Sequence, residues 1–256
     1  MGLLRSTVLV FSFFSRIPMP RLEWREENLR YTTGLFPLLG AVIALFLQGW
    51  LWLCARLSLG SIIFAAGLTV LPVLVTGGIH LDGFCDTVDA LSSRAEKDKR
   101  KSILSDPHIG AFAVISLCSY FLIYFALCSE VSQTAATVLA IGLIHILSSC
   151  LVSFGILYLP SAHQVGLFYF LKQSSVKNTS AVLLSIFFIA TSLVLFMLLG
   201  WTFVFVILAA ALYLIFIYFK FTRDFGGMSG DLAGFWLQSV EIILLAVLLV
   251  IEKVRI

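Results

Sequence analysis

Residues 76–91 read TGGIHLDGFCDTVDAL and place three aspartates, Asp82, Asp86 and Asp89, directly after one of the most apolar stretches of the chain. If the segment from Leu81 onward is helical, spacings of four and then three residues put the three carboxylates on one face, the last rotated about 20° from the first. Three unpaired anions on one face repel one another, so the pattern calls for a cation. Carboxylate oxygens are hard ligands and favour Mg2+, Mn2+ or Ca2+ over zinc. Mg2+ is usually held by one or two carboxylates together with substrate phosphates, which points to a phosphorylated substrate. Gly77, Gly78 and Gly83 leave bare backbone for a ligand to approach. The plainer alternative, an acidic helix start favoured by the helix dipole, accounts for Asp82 but not for the recurrence through Asp89.

A second constellation, KFTRDFGGMSGDLAGFWLQSVE at 220–241, repeats this grammar: a glycine pair, an aspartate just before an apolar span and a later carboxylate. Asp231 is a further candidate metal ligand, with Gly227, Gly230 and Arg223 as substrate contacts. Glu241 falls about 80° from Asp231 on a helix and two to three turns into the span. Intramembrane carboxylates are costly and by default functional, so Glu241 joins the substrate-binding candidates. His80 stands beside the first aspartate. Arg94 and a Lys/Arg run precede Asp106 and His108 in SSRAEKDKRKSILSDPHIGAF at 92–112. There the phosphate-binding reading competes with a helix N-cap for Asp106 and a positive-inside anchor for the lysines. Arg16, in FFSRIPMP, is placed to meet a phosphate or to snorkel. His145, mid-span, reads as a satisfied interhelical histidine.

These residues need an apolar scaffold. The chain is 60% hydrophobic and 12% charged, about half the charge of a soluble domain. Apolar runs at about 34–56, 60–77, 109–129, 134–159, 180–200, 202–219 and 235–251 predict an all-α, polytopic membrane bundle of about seven helices forming one domain over 1–256. The stretch 6–15 is too short to span and ends at Pro18 and Pro20, so an interfacial or re-entrant segment is expected. A cleavable signal peptide is not expected. Basic residues cluster before the first run and between the second and third, which places the loops 16–32, 78–108, 160–179 and 220–234 on the cytoplasmic face. Lys253 and Arg255 then fall outside. Five cysteines, odd in number and without CxxC spacing, read as reduced core residues.

The chain resembles the cobalamin-5′-phosphate synthases, also called adenosylcobinamide-GDP ribazoletransferases. The resemblance lies in FFSRIPMP at 13–20, LFPLLGAVIA at 35–44, TGGIHLDGFCDTVDAL at 76–91, SR at 93–94, ILSDPHIGAFAV at 103–114 and GGMSGDLAGFWLQSVE at 226–241. It implies an integral enzyme of a prokaryotic cell (inner) membrane, acting late in cobalamin biosynthesis with its active site toward the cytoplasm. Such enzymes join adenosylcobinamide-GDP to α-ribazole or its 5′-phosphate, release GMP and use Mg2+, with Mn2+ as the alternative. On this reading Asp82, Asp86 and Asp89 serve catalysis and hold metal with Asp231. The expected partners are these substrates, the bilayer and other enzymes of nucleotide-loop assembly, and no nucleic acid. His108, Cys150, His163 and Gln238 depart from the family's pattern. Two rivals are a CDP-alcohol phosphotransferase and an ion-coupled transporter. The DGxxAR element of the first is absent, since Phe84–Cys85–Asp86 follows Asp82–Gly83, and the second lacks an inverted repeat.

Overall fold

A computed structural model describes residues 2–254, so the expectation for Arg255 lies outside the described residues. The described chain folds into thirteen α-helices: α1 Gly2–Phe14, α2 Glu26–Leu29, α3 Thr32–Leu35, α4 Pro37–Leu57, α5 Ser61–Thr76, α6 Ile79–Ser92, α7 Lys97–Ile103, α8 Ala111–Glu130, α9 Ala135–Tyr158, α10 Leu167–Ser174, α11 Lys177–Leu199, α12 Phe203–Phe225 and α13 Gly230–Val254. It contains no named strand, only an isolated bridge between Ser161 and Met228.

Five stretches are long and apolar enough to cross a membrane: α4, α8, α9, the 49-residue stretch Lys177–Phe225, and α13. The bent pair α5–α6 makes six if it counts as one span. The sequence pattern predicts about seven, and the difference lies in two places. A straight 49-residue helix would run about 74 Å, far beyond a hydrocarbon core of about 30 Å. Gly200, at φ 60° and ψ −146°, breaks that stretch into α11 and α12, and Phe196 meets Trp201 and Phe203 edge-on across the break. The run at 60–77 is a 16-residue helix ended by Gly77 and Gly78, both left-handed at φ 68° and 80°. The chain then turns by 94° into α6. The short N-terminal stretch forms α1, too short to count among the spans.

Among the membrane-length helices the most buried is α9, packed mainly against α4, α11 and α13. Large side chains such as Trp236, Phe64, Phe221 and Phe225 are fully enclosed. The outer surface instead displays Trp52, Ile62, Leu122, Ile189, Met197 and Leu212. In water such apolar exposure is a liability; with lipid as solvent it is the expected exterior. Cys54, Cys85, Cys128 and Cys150 are buried free thiols, and Cys118 is exposed.

The loops between these helices meet at one end of the bundle. The Arg16 amide donates to the Val75 carbonyl at 2.8 Å and the Val176 amide to the Arg30 carbonyl at 3.0 Å, while the Met228 amide donates to the Pro160 carbonyl and the Ala162 amide to the Met228 carbonyl, both at 2.8 Å. Arg100 on α7 reaches Asp224 on α12 at 3.1 Å. The four polar loops singled out from the sequence therefore form one continuous surface.

Candidate active site

The region Ile79–Ser92 is helical, so Asp82, Asp86 and Asp89 share a face as their spacing predicts. Its opposite side buries Leu81, Phe84, Cys85 and Ala90. Helix α6 packs closely along α13 because both carry glycine at the crossing. A Cβ on Gly83 would lie 2.7 Å from the Asp231 Cα, and one on Gly234 would lie 2.7 Å from the His80 carbonyl oxygen. This is the small-residue contact that lets backbones meet within a membrane. Asp82 and Asp231 are thereby brought to the rim of one cavity of about 420 Å3. Its walls include Phe14, Phe36, His80, Ile156, Phe168 and Tyr169, from elements far apart in sequence.

Asp86 and Asp89 open onto a neighbouring groove of about 330 Å3, which they line with Asp106, His108 and Gly110. The aspartate face of α6 thus straddles two depressions. Asp86 has Asp82, Asp231 and Asp89 as neighbouring like charges. Asp82, Asp86 and Asp231 form no ion pair within 4.0 Å among the described residues.

Asp89 is engaged otherwise than as an open metal ligand. Its two oxygens accept the backbone N–H groups of Gly110 at 2.6 Å and Ala113 at 2.9 Å. Those amides begin α8 and have no partner within the helix, so the carboxylate caps it. Among the described residues no three His, Cys, Asp or Glu side chains are gathered closely enough to hold a metal ion. In donor chemistry Asp82, Asp86 and Asp231 suit a hard divalent cation, and such an ion takes part of its shell from substrate phosphate. Asp106 accepts from the His108 amide at 3.0 Å and meets its ring Nδ1 at 2.8 Å. The amide first, and the ring after it, hold the exposed Asp106 carboxyl below its ordinary range.

Other sequence candidates sit at varying distance from the cavity. The exposed Arg16 packs its side chain over Gly77, where a Cβ would meet its Cγ at 2.6 Å. Arg94 is exposed in a left-handed conformation at φ 51°, and Arg223 pairs with Asp224 at 2.9 Å. Neither lines the cavity. Gly230 lies on its rim, with open space where a side chain would go. Gly227, at φ 151°, serves the backbone instead: a Cβ there would fall 2.2 Å from the Pro160 carbonyl oxygen. Glu241 is placed away from the cavity, 3% exposed. It bonds through Oε1 to His145 Nδ1 at 2.8 Å and to Ser148 Oγ at 3.0 Å. A carboxylate at that depth must be satisfied inside the protein, and His145 is the satisfied interhelical histidine its position predicts. Nearby Tyr120 donates to Gln238 at 2.5 Å.

Two participants carry little sequence signal. His163 comes to the cavity from the loop after α9, held by the Ala162–Met228 bond. Asp224, buried at the end of α12, binds Arg100, Lys220 and Arg223 at once and ties α7 to the turn before Asp231.

Residues 6–249 match the family described as cobalamin-5-phosphate synthase. The chain belongs to that family. The adenosylcobinamide-GDP ribazoletransferase of Lachnoclostridium phytofermentans is 37% identical over 241 residues, covering 93% of this chain and 91% of the relative. The protein of the same name from Clostridium perfringens strain SM101 is 30% identical over 233 residues, covering 91% and 92%. One from Clostridium botulinum strain Alaska E43 is 29% identical over 249 residues, covering 94% and 96%. No solved structure matches the chain significantly. Family membership therefore extends over the whole bundle, from the loop that carries Arg16 to the helix that carries Asp231.

Proposed function

We propose that this protein is an adenosylcobinamide-GDP ribazoletransferase, joining adenosylcobinamide-GDP to α-ribazole or its 5′-phosphate with release of GMP. The supporting observation is the α6–α13 crossing, where Asp82 and Asp231 meet at the rim of a cavity within a chain of this family. In the reaction a ribose hydroxyl of the acceptor attacks the phosphorus that carries the cobinamide. A new P–O bond forms as the bond to the bridging pyrophosphate oxygen breaks, and GMP departs with that oxygen. The hydroxyl proton passes to a rim carboxylate, Asp82 or Asp231.

Asp82 and Asp231, which line the same cavity, are the residues that would hold Mg2+ or Mn2+ together with substrate phosphate, and such an ion would neutralise charge on the pyrophosphate. Asp82 and Asp231 orient the acceptor hydroxyl for attack. The lysines and arginines of the surrounding loops support a cytoplasmic orientation of this surface in a prokaryotic inner membrane, by the positive-inside rule. The test is chromatography of GMP and corrinoid product from purified protein in nanodiscs given both substrates and Mg2+. One GMP per corrinoid joined supports the reading; GMP without joined product, or neither product, overturns it.

A further inference from the structure

We infer that the cavity behind Asp82 and Asp231 seats the acceptor's aromatic base, so that the nucleoside binds base-inward and the corrinoid donor stays outside on the loop surface. This rests on the transferase reading above, and it assigns the two substrates to different places. At about 420 Å3, the cavity is at the lower end of the range of roughly 300–1,000 Å3 for small-molecule sites. A single azole base on a ribose fits that space, whereas a corrin macrocycle with its side chains does not. The wall chemistry makes the same choice. Phe14, Phe36, Phe168 and Tyr169 supply ring faces and edges, with Val152 and Ile156 behind them, a surface suited to a flat uncharged ring.

Charge is the second discriminator. Among the described residues no lysine or arginine lines the cavity, and its acidic groups are Asp82 and Asp231. A phosphate set among these rings, away from the two carboxylates and any cation they hold, would meet no lysine or arginine. An uncharged base incurs no such penalty, and with it inward the ribose hydroxyl emerges beside those carboxylates. The polar atoms that remain are of the right kind. Thr32 and His80 both belong to the wall, and Thr32 Oγ1 and His80 Nε2 are buried without a hydrogen-bond partner. After a side-chain rotation either complements the free ring nitrogen of an azole. Ile156 and Ala233 both line the cavity and limit the size of base it takes.

The experiment uses the full-length protein in nanodiscs and two variants. Ala233→Leu fills the cavity and Ile156→Ala enlarges it. Calorimetric binding of α-ribazole alone is measured beside separate KM values for acceptor and donor. Ala233→Leu is expected to weaken α-ribazole binding and raise its KM at least tenfold, with the donor KM within twofold of wild type. Ile156→Ala is expected to shift preference toward a nucleoside with a bulkier base, a gain that misfolding does not produce. Equal changes in both KM values, or a change confined to the donor, overturn the assignment. Binding of α-ribazole that Ala233→Leu abolishes, without GMP release by wild type, leaves the cavity assigned and sinks the transferase reading. Release of GMP with acceptor constants untouched by both variants does the reverse.

Discussion

Replacing Asp89 by alanine removes the acceptor for two amides that open α8, Gly110 and Ala113. Loss of such a cap costs about 1–2 kcal/mol, so the melting temperature should fall by a few degrees, and Asp89→Asn should retain part of it. Thermal unfolding in detergent reads both; an unchanged Asp89→Ala transition would show that the cap contributes nothing. A larger effect is expected at Glu241, 3% exposed, where alanine removes the partner of the His145 ring and leaves Ser148 only the His145 carbonyl as acceptor. Removing one partner from a buried pair costs about 3–5 kcal/mol. Glu241→Gln keeps an oxygen in place and should melt much closer to wild type; if the two variants melt alike, the hydrogen bonds are not what stabilises this interior. Spacing alone was enough to read the common face of Asp82, Asp86 and Asp89. It was not enough to tell that one of the three caps a helix 21 residues away, because that donor lies in another element. For the same reason His163 and Asp224 were illegible as partners: each gains its meaning only from a loop that folds back.

At the level of elements, the α6–α13 crossing carries the account. Gly83→Leu places a branched side chain where even a Cβ would lie 2.7 Å from the Asp231 backbone. The helices must part, and Asp82 and Asp231 part with them. Misplacement of about 1 Å can cost on the order of 100-fold in rate, so activity should fall by about that factor, with unfolding monitored separately. Unchanged turnover would mean that this spacing is not critical. Gly83 and Gly227 were visible in the sequence, but as points of ligand access; in the structure Gly83 packs with Gly234 at the helix crossing and Gly227 is a backbone crossing. Helix breaks were harder to read. The apolar runs at 60–77, 180–200 and 202–219 end where Gly77–Gly78 and Gly200 end the helices, but their hydropathy carries no sign of the 94° turn from α5 into α6.

The whole molecule gathers its polar loops at one end and turns apolar side chains outward along the rest. Periodicity and charge placement reveal that much, since both follow from the solvent each surface faces. The cavity was not legible, because its walls come from six separated parts of the chain that share no motif. Orientation is open to direct test: Lys99→Cys, Gln164→Cys and Thr222→Cys, each in a Cys118→Ser background, should resist a membrane-impermeant maleimide in intact cells and react in inverted vesicles. Labelling from outside would reverse the topology.

The central claim is that the carboxylates at the α6–α13 crossing run the transfer. Single-turnover release of GMP in nanodiscs, at saturating adenosylcobinamide-GDP and acceptor, tests it most directly with Asp82→Asn and Asp231→Asn proteins that melt like wild type. The account predicts a rate at least 100-fold below wild type for each variant, the scale set by loss of positioning or of proton transfer. Rates within threefold of wild type for both would contradict it and move the chemistry away from this crossing.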